Sequence, residues 1–136
     1  MSEKKIVGIT MGDPASIGPE ITVKAFADKS LYDLCNPVVV GDASVMEAAL
    51  PIVGHTEMKI HAIKDVSEAK YEYGTIDVLD MGLVDMAQLK RGEVSAMCGD
   101  AAFKYVTKVI ELAMDKKVDA TVTNAFNKEA VKTLAL

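Results

Sequence analysis

The sequence predicts a layered α/β domain, helices on both faces of a mostly parallel sheet. Three observations carry this. Short apolar runs of strand length alternate with segments whose apolar residues recur at three- and four-residue steps. Their order is strand, helix, strand, helix, strand, strand, helix, strand, helix, the alternation of sheets whose parallel strands are joined by helices. The composition, 50% hydrophobic and 26% charged over 136 residues, supplies one real core, argues against disorder, and leaves too little chain for two ordinary domains.

The elements follow in order. Residues 6–11 (Ile-Val-Gly-Ile-Thr-Met) read as a buried strand. Residues 12–20 are turn-rich and lead into a helix. Pro19 suits a first helical position, where its missing N–H costs nothing, and Glu20 complements the helix dipole. Ile21, Val23, Ala25, Phe26 and Ala27 carry that helix to about residue 29. Residues 37–41 are a second buried strand. Asp42 then reads as the N-cap of a helix over 43–50 that Pro51 ends. Residues 58–63 alternate as a half-buried strand and 75–80 form another, with a polar stretch at 64–74 holding one helical turn. Residues 82–92 are irregular. The longest helix spans 94–116, with Val94, Met97, Cys98, Ala101, Ala102, Val106, Val109, Ile110 and Ala113 on its apolar stripe and Lys116 and Lys117 at its C-terminal end. Residues 118–123 are the last strand, 124–127 a loop, and 128–136 open a helix with no Gly or Asn cap, the pattern expected of a truncated domain.

Composition narrows the function classes. The net charge is −5 and no Lys/Arg cluster exceeds two residues, which disfavours nucleic acid because its backbone needs a dense positive face. No apolar stretch reaches membrane-spanning length and the N-terminal run is too short for a signal peptide, so a cytoplasmic chain without membrane partners is expected. Cys35 and Cys98 lack metal-ligand spacing and fit a reduced setting as small buried apolar residues. His55 and His61, the only histidines, have Glu57 between them but no evident third ligand, so a metal site is not expected there. Neither GxGxxG nor a P-loop occurs, so an ordinary dinucleotide fingerprint is not supported. Met11, Met46, Met81, Met86, Met97 and Met114 read as core filler.

Two stretches carry candidate chemistry. The 10–20 loop lies where the first strand gives way to a helix. Ligands of open α/β sheets bind outside such carboxyl ends, and helix N-termini there offer N–H groups to anions. Asp13 is its central ionisable group. The plainer alternative is a tight turn whose Gly and Pro serve only geometry. The 120–130 stretch ends a strand in a polar loop. Thr123, Asn124, Asn127 and Lys128 make a plausible phosphate or carboxylate site there, against a plainer reading as turn residues and a solvated lysine.

The Gly12-Asp13-Pro14-Ala15-Ser16-Ile17-Gly18-Pro19-Glu20 run after a strand resembles the opening of the 4-hydroxythreonine-4-phosphate dehydrogenase family. More distantly it is similar to the start of isocitrate and isopropylmalate dehydrogenases. Ser16 stands where the family usually has Gly. Thr123-Asn124-Ala125-Phe126-Asn127-Lys128 resembles the family's second cleft-lining loop, in the form of a branch acting on phosphorylated threonate- or erythronate-like acids. Gly54-His55-Thr56-Glu57 matches a third family motif in letters only. The family places that motif about a dozen residues after the second loop, whereas here it precedes the loop by some seventy residues.

The resemblance implies an isocitrate/isopropylmalate dehydrogenase-like fold, with residues 1–136 as the N-terminal portion of a two-domain enzyme. It implies NAD-dependent oxidation and decarboxylation of a small phosphorylated hydroxy acid, 4-phosphohydroxythreonine or 4-phospho-threonate/erythronate, and hence a place in pyridoxine biosynthesis. It also implies a homodimer and a divalent metal (Zn, Mg or Co) whose histidine ligands lie outside this chain, so that the fragment alone is expected to be inactive. Asp13, Thr123, Asn124, Asn127 and Lys128 would line the cleft. The rival readings are a phosphate acetyl- or butyryltransferase, which would lack the 12–20 motif, and a non-catalytic small-phosphoanion-binding or regulatory α/β module.

Overall fold

Three consecutive valines, Val38, Val39 and Val40, have no exposed surface. A strand can bury successive residues only when both faces are covered, so this run marks the centre of the sheet. A computed structural model describes residues 4–124. The strands are β1 (Ile6–Thr10), β2 (Asn36–Gly41), β3 (Lys59–Ile63), β4 (Thr75–Asp80) and β5 (Ala120–Val122). They lie in the order β3-β4-β2-β1-β5, and all four pairings are parallel. β2 occupies the middle.

The helices are α1 (Gly18–Phe26), α2 (Lys29–Leu34), α3 (Ala43–Ile52) and α4 (Ala96–Met114). The β1→β2 and β2→β3 connections run one way along the sheet, and β3→β4 and β4→β5 run back. Right-handed crossovers therefore place α1 and α3 on one face and α4 on the other. α1 packs on α3, while α4 lies across β1, β2 and β5. The 64–74 connection joins the α4 face, where Lys117 Nζ meets Asp65 at 3.1 Å. The core runs through Phe26, Val45, Met46, Ile63, Ile76, Val78, Tyr105 and Val109, all essentially unexposed. Burying each such aliphatic side chain contributes roughly 1.5–3 kcal/mol.

Several expectations are corrected. The first helix stops at Phe26, and a separate short helix, α2, follows. The Asp28 carboxylate caps α2 through the Ser30 amide at 3.0 Å and hydroxyl at 2.7 Å. Pro51 does not end α3 but sits in its last turn, where one missing backbone bond is tolerated. The helical turn in 64–74 is a 3-10 turn, Val66–Glu68, closed by a reciprocal capping box between Asp65 and Glu68. α4 is capped by Ser95, which accepts from the Cys98 amide, and ends at Met114. Lys116 lies beyond it in a left-handed conformation (φ 61°). Met11 and Met46 are core residues as expected, but Met86 and Met114 are exposed.

Candidate active site

In an open parallel sheet, ligand crevices form where neighbouring strands send their connections to opposite faces. Here that switch lies between β2, which leads to α3, and β4, which leads towards α4. Two aspartates stand at those strand ends, and both are engaged by the protein itself. Asp80 Oδ1 accepts from the Ala43 amide at 3.1 Å and, more loosely, the Gly82 amide at 3.3 Å. Asp42 is buried and accepts the Tyr105 hydroxyl at 2.6 Å and the Val84 amide at 2.8 Å. Asp42 is thus the residue before α3, as expected, but its side chain caps nothing there. Burial, then the hydrogen bond to Asp42, pushes the Tyr105 phenol far above the ordinary tyrosine range, so it donates at any physiological pH. The bonds to the Gly82 and Val84 amides fix the start of the 81–95 segment beside these strand ends.

The open space lies one strand away, past β1. Gly12 takes the left-handed conformation (φ 84°) that turns the chain out of the strand. Ser16 needs no positive φ, so a residue with a Cβ fits where the family usually has Gly. Gly18 is required by proximity, because a Cβ there would lie 2.4 Å from the Met11 carbonyl oxygen. Asp13 is only 2% exposed. Its Oδ1 accepts the Ala15 amide at 2.8 Å and its carbonyl accepts the Ser16 amide at 3.0 Å. The residue before α1 is Ile17, so no side chain caps that helix.

A cavity of about 270 Å³ opens here, lined by Asp13, Ser16, Glu20, Arg91 and Glu93 among others. The 81–95 segment forms its far wall. The Gly92 amide donates to the Ala15 carbonyl at 2.7 Å, and Arg91 pairs with Glu20 at 3.3 Å. Asp13 therefore lines a cavity at the carboxyl end of β1. The partners opposite it, Arg91 and Glu93, come from the stretch that reads in sequence as merely irregular.

Of the other expected site residues, Thr123 is exposed after β5 and Asn124 is half-buried. Asn124 acts as a brace. Its amide N–H donates to Thr10 Oγ1 at 3.0 Å, and its side-chain Nδ2 donates to the Thr10 carbonyl at 2.9 Å and to Thr22 Oγ1 at 2.6 Å. Thr22 Oγ1 in turn donates to the Gly18 carbonyl at 2.8 Å. The ends of β5 and β1 and the first turn of α1 are thereby locked together. Both side-chain donors of Asn124 are consumed, which leaves Oδ1. Thr10 and Thr22 are fixed by this network and carry no sequence signal of it. Asn127 and Lys128 lie outside the described residues.

The histidines serve local structure. His55 pairs with Glu57 at 2.9 Å in the turn after α3, at the amino end of the sheet and away from the cavity. His61 pairs at 2.8 Å with buried Asp77, which also accepts the Lys70 and Tyr71 amides. Among the described residues no three His, Cys, Asp or Glu side chains converge to hold a metal. Burial raises the Cys35 and Cys98 thiols, so both stay protonated. No described helix is long and apolar enough to cross a membrane.

Comparison with known proteins places this geometry. The model of the family described as pyridoxal phosphate biosynthetic protein PdxA matches residues 33–135. A Halalkalibacterium halodurans protein with the provisional name D-threonate 4-phosphate dehydrogenase is 49% identical over 97% of this chain and 39% of its own length. The crystal structure of a 4-hydroxythreonine-4-phosphate dehydrogenase from Burkholderia phymatum superposes with a TM-score of 0.94 at 47% identity, over 98% of this chain and 40% of that one. A terephthalate 1,2-cis-dihydrodiol dehydrogenase from Burkholderia xenovorans LB400 matches with a TM-score of 0.72 at 26% identity, over 94% of this chain and 36% of that one. The chain thus spans about two fifths of the length of the relatives it matches.

Proposed function

The chain belongs to the PdxA family, and from that premise we propose that it forms the N-terminal portion of a two-domain, NAD-dependent dehydrogenase. The substrate is a small phosphorylated hydroxy acid of the D-threonate 4-phosphate or 4-hydroxythreonine-4-phosphate type. Its secondary alcohol is oxidised, and the resulting β-keto acid loses CO₂. The intact protein works in the cytoplasm as a homodimer. The observation that carries this is the fit, at 47% identity and over 98% of the chain, to a structure bearing that dehydrogenase name.

The substrates named for the relatives share one feature. Threonate and a cis-dihydrodiol carry vicinal hydroxyls, and 4-hydroxythreonine carries a hydroxyl beside an amine. The reacting centre is one of two adjacent hydrogen-bond donors, with or without a phosphate. A nicotinamide would supply the hydride acceptor and a divalent metal the positive charge that polarises the alcohol. The described residues offer no metal-ligand set. What they contribute is a wall. Asp13 presents a carboxylate at the end of β1, Asn124 holds the β5 end against it, and Thr123 lies at the exposed strand end. Asn127 and Lys128, which follow directly in sequence, would supply polar and positive groups to the substrate's anionic ends.

The test is turnover. The intact protein, given NAD, a divalent metal and D-threonate 4-phosphate or 4-hydroxythreonine-4-phosphate, is expected to form NADH and release CO₂ in equal amounts. The 136-residue chain alone is expected to form none. NADH without CO₂ would refute the decarboxylation, and no NADH from either substrate would refute the dehydrogenase reading.

A further inference from the structure

A second cavity, of about 420 Å³, opens beside the first residue of β1 and is lined by Ile6, Asp65, Val66, Ser67, Tyr71 and Lys117. It shares no lining residue with the cavity at Asp13. Ile6, Val66 and Tyr71 make the lining largely apolar, and its two charges cancel. Lys117 Nζ pairs with Asp65 Oδ1 at 3.1 Å, while the Ser67 amide and hydroxyl donate to Asp65 Oδ2 at 3.0 and 2.6 Å. Tyr71 is held in this lining at a cost. Its backbone is left-handed (φ 53°), a conformation that a residue with a Cβ disfavours and that tends to mark functional positions. Buried Asp77 fixes it there by accepting the Tyr71 amide at 2.9 Å and the Lys70 amide at 3.1 Å. The hydroxyl is left over. Among the described residues, Tyr71 Oη is the one buried side-chain nitrogen or oxygen with no hydrogen-bond partner. Such an orphan costs stability and signals a missing partner. The two nearest carboxylate charges are spent elsewhere, Asp77 on His61 and the two amides and Asp119 on the Ile6 amide at 2.8 Å. Burial, then the charges of Asp77 and Asp119, hold the phenol above the ordinary tyrosine range. It therefore keeps its proton, and the partner it lacks is an acceptor.

We infer that this cavity binds a small uncharged molecule with an apolar body and a carbonyl-type acceptor, to which the Tyr71 hydroxyl donates. The volume, about 420 Å³, lies within the roughly 300–1,000 Å³ of small-molecule sites, which pair an apolar lining with a few placed polar groups. An anion fits less well. The one cation of the lining is already paired with Asp65, and the charges of Asp77 and Asp119 that bear on the phenol would oppose a second negative charge beside it. A purely apolar molecule would fill the space but leave the hydroxyl unsatisfied. The site is independent of the dehydrogenase reading and stands or falls without it.

Three probes of similar size separate these cases in amide-resolved NMR titrations of the 136-residue chain: acetophenone (an uncharged acceptor), toluene (no acceptor) and benzoate (a charged acceptor). Acetophenone is expected to shift the Ser67, Tyr71 and Lys117 amides and to bind about tenfold more tightly than either of the others. Tyr71→Phe, which removes only the hydroxyl, is expected to bring acetophenone down to the affinity of toluene and to leave toluene unchanged. Because it deletes an orphaned group, the same variant is expected to melt no lower than the unaltered chain. The inference is overturned if toluene or benzoate binds as tightly as acetophenone, if Tyr71→Phe keeps acetophenone within about twofold, or if no probe binds at about 5 mM. It is equally overturned if Tyr71→Phe melts lower or fails to fold, since the hydroxyl would then already have a partner, a protein group or a water.

Discussion

Replacing Asn124 with alanine removes two donors at once and tests the brace that joins β5 to β1. One donor holds the Thr10 carbonyl at 2.9 Å and the other Thr22 Oγ1 at 2.6 Å. The two losses differ. Thr10 is fully buried, so its carbonyl loses a partner that water cannot easily replace. Thr22 keeps its own donation to the Gly18 carbonyl and loses only an accepted bond. The backbone bond from Asn124 to Thr10 Oγ1 survives the substitution. At about 1 kcal/mol for each neutral bond, and somewhat more where a buried carbonyl is orphaned, the total is about 2 kcal/mol. With a urea slope of about 2 kcal/mol/M, the unfolding midpoint falls by about 1 M at unchanged slope. Adding Thr22→Val to the alanine variant is expected to cost less than Thr22→Val in the unaltered chain, because the shared bond is already gone. A midpoint shift below about 0.2 M would refute the brace, as would strict additivity of the two substitutions.

Three further outcomes follow from the same geometry. Tyr105→Phe strips the hydroxyl from buried Asp42 and is expected to cost about 1.5–3 kcal/mol, lowering the melting temperature by roughly 5–10 °C in a thermal scan; an unchanged melt would show that Asp42 is satisfied without it. Gly18→Ala places a Cβ 2.4 Å from the Met11 carbonyl oxygen, a backbone atom that cannot swing aside, so a loss of about 1–3 kcal/mol is expected in the same scan, and a neutral result would mean the 10–18 turn is loose. The Asp65 carboxyl is held down to about 2, first by the Ser67 hydroxyl, then by the Ser67 amide and Lys117. A folded value below the unfolded one gives a contribution present above the ordinary aspartate value and lost as pH falls from about 4 to about 2. In an NMR titration Ser67→Ala is expected to move Asp65 back towards the ordinary range, and a value still near 2 would refute the assignment.

What could be read from the sequence was what repeats along it. β1, β2, β4 and α4 stood out because each buries a run or a stripe long enough to show its period. α2 did not. Its six residues, Lys-Ser-Leu-Tyr-Asp-Leu, are half polar, and only Tyr32 is buried. That residue is fixed by partners distant in sequence, with its ring edge-on to Phe26 and Tyr73 and its hydroxyl on the Thr75 carbonyl. The capping aspartates show the same limit. Asp28 and Asp65 cap the next turn through neighbours two residues on, as local rules say. Asp42 satisfies the identical rule on paper, but Tyr105, 63 residues away, claims its carboxylate.

The candidate site divides along that line too. Asp13 could be picked out because a turn-rich loop after a first parallel strand has a fixed place at the carboxyl edge of the sheet. Its surroundings could not, because the opposite wall arrives from residues 91–93, over seventy positions later, in a stretch with no period at all. The sequence motif alone suggests an anion at a helix N-terminus. The assembled walls add Glu93 and Arg91 from a distant segment, and Arg91 is engaged with Glu20. Asn124 shows the converse. Its residue type and loop position suggested a ligand contact, and the fold spends both its side-chain donors on Thr10 and Thr22. A motif thus located the cleft, while the charge a ligand meets there depends on residues that only the tertiary structure brings together.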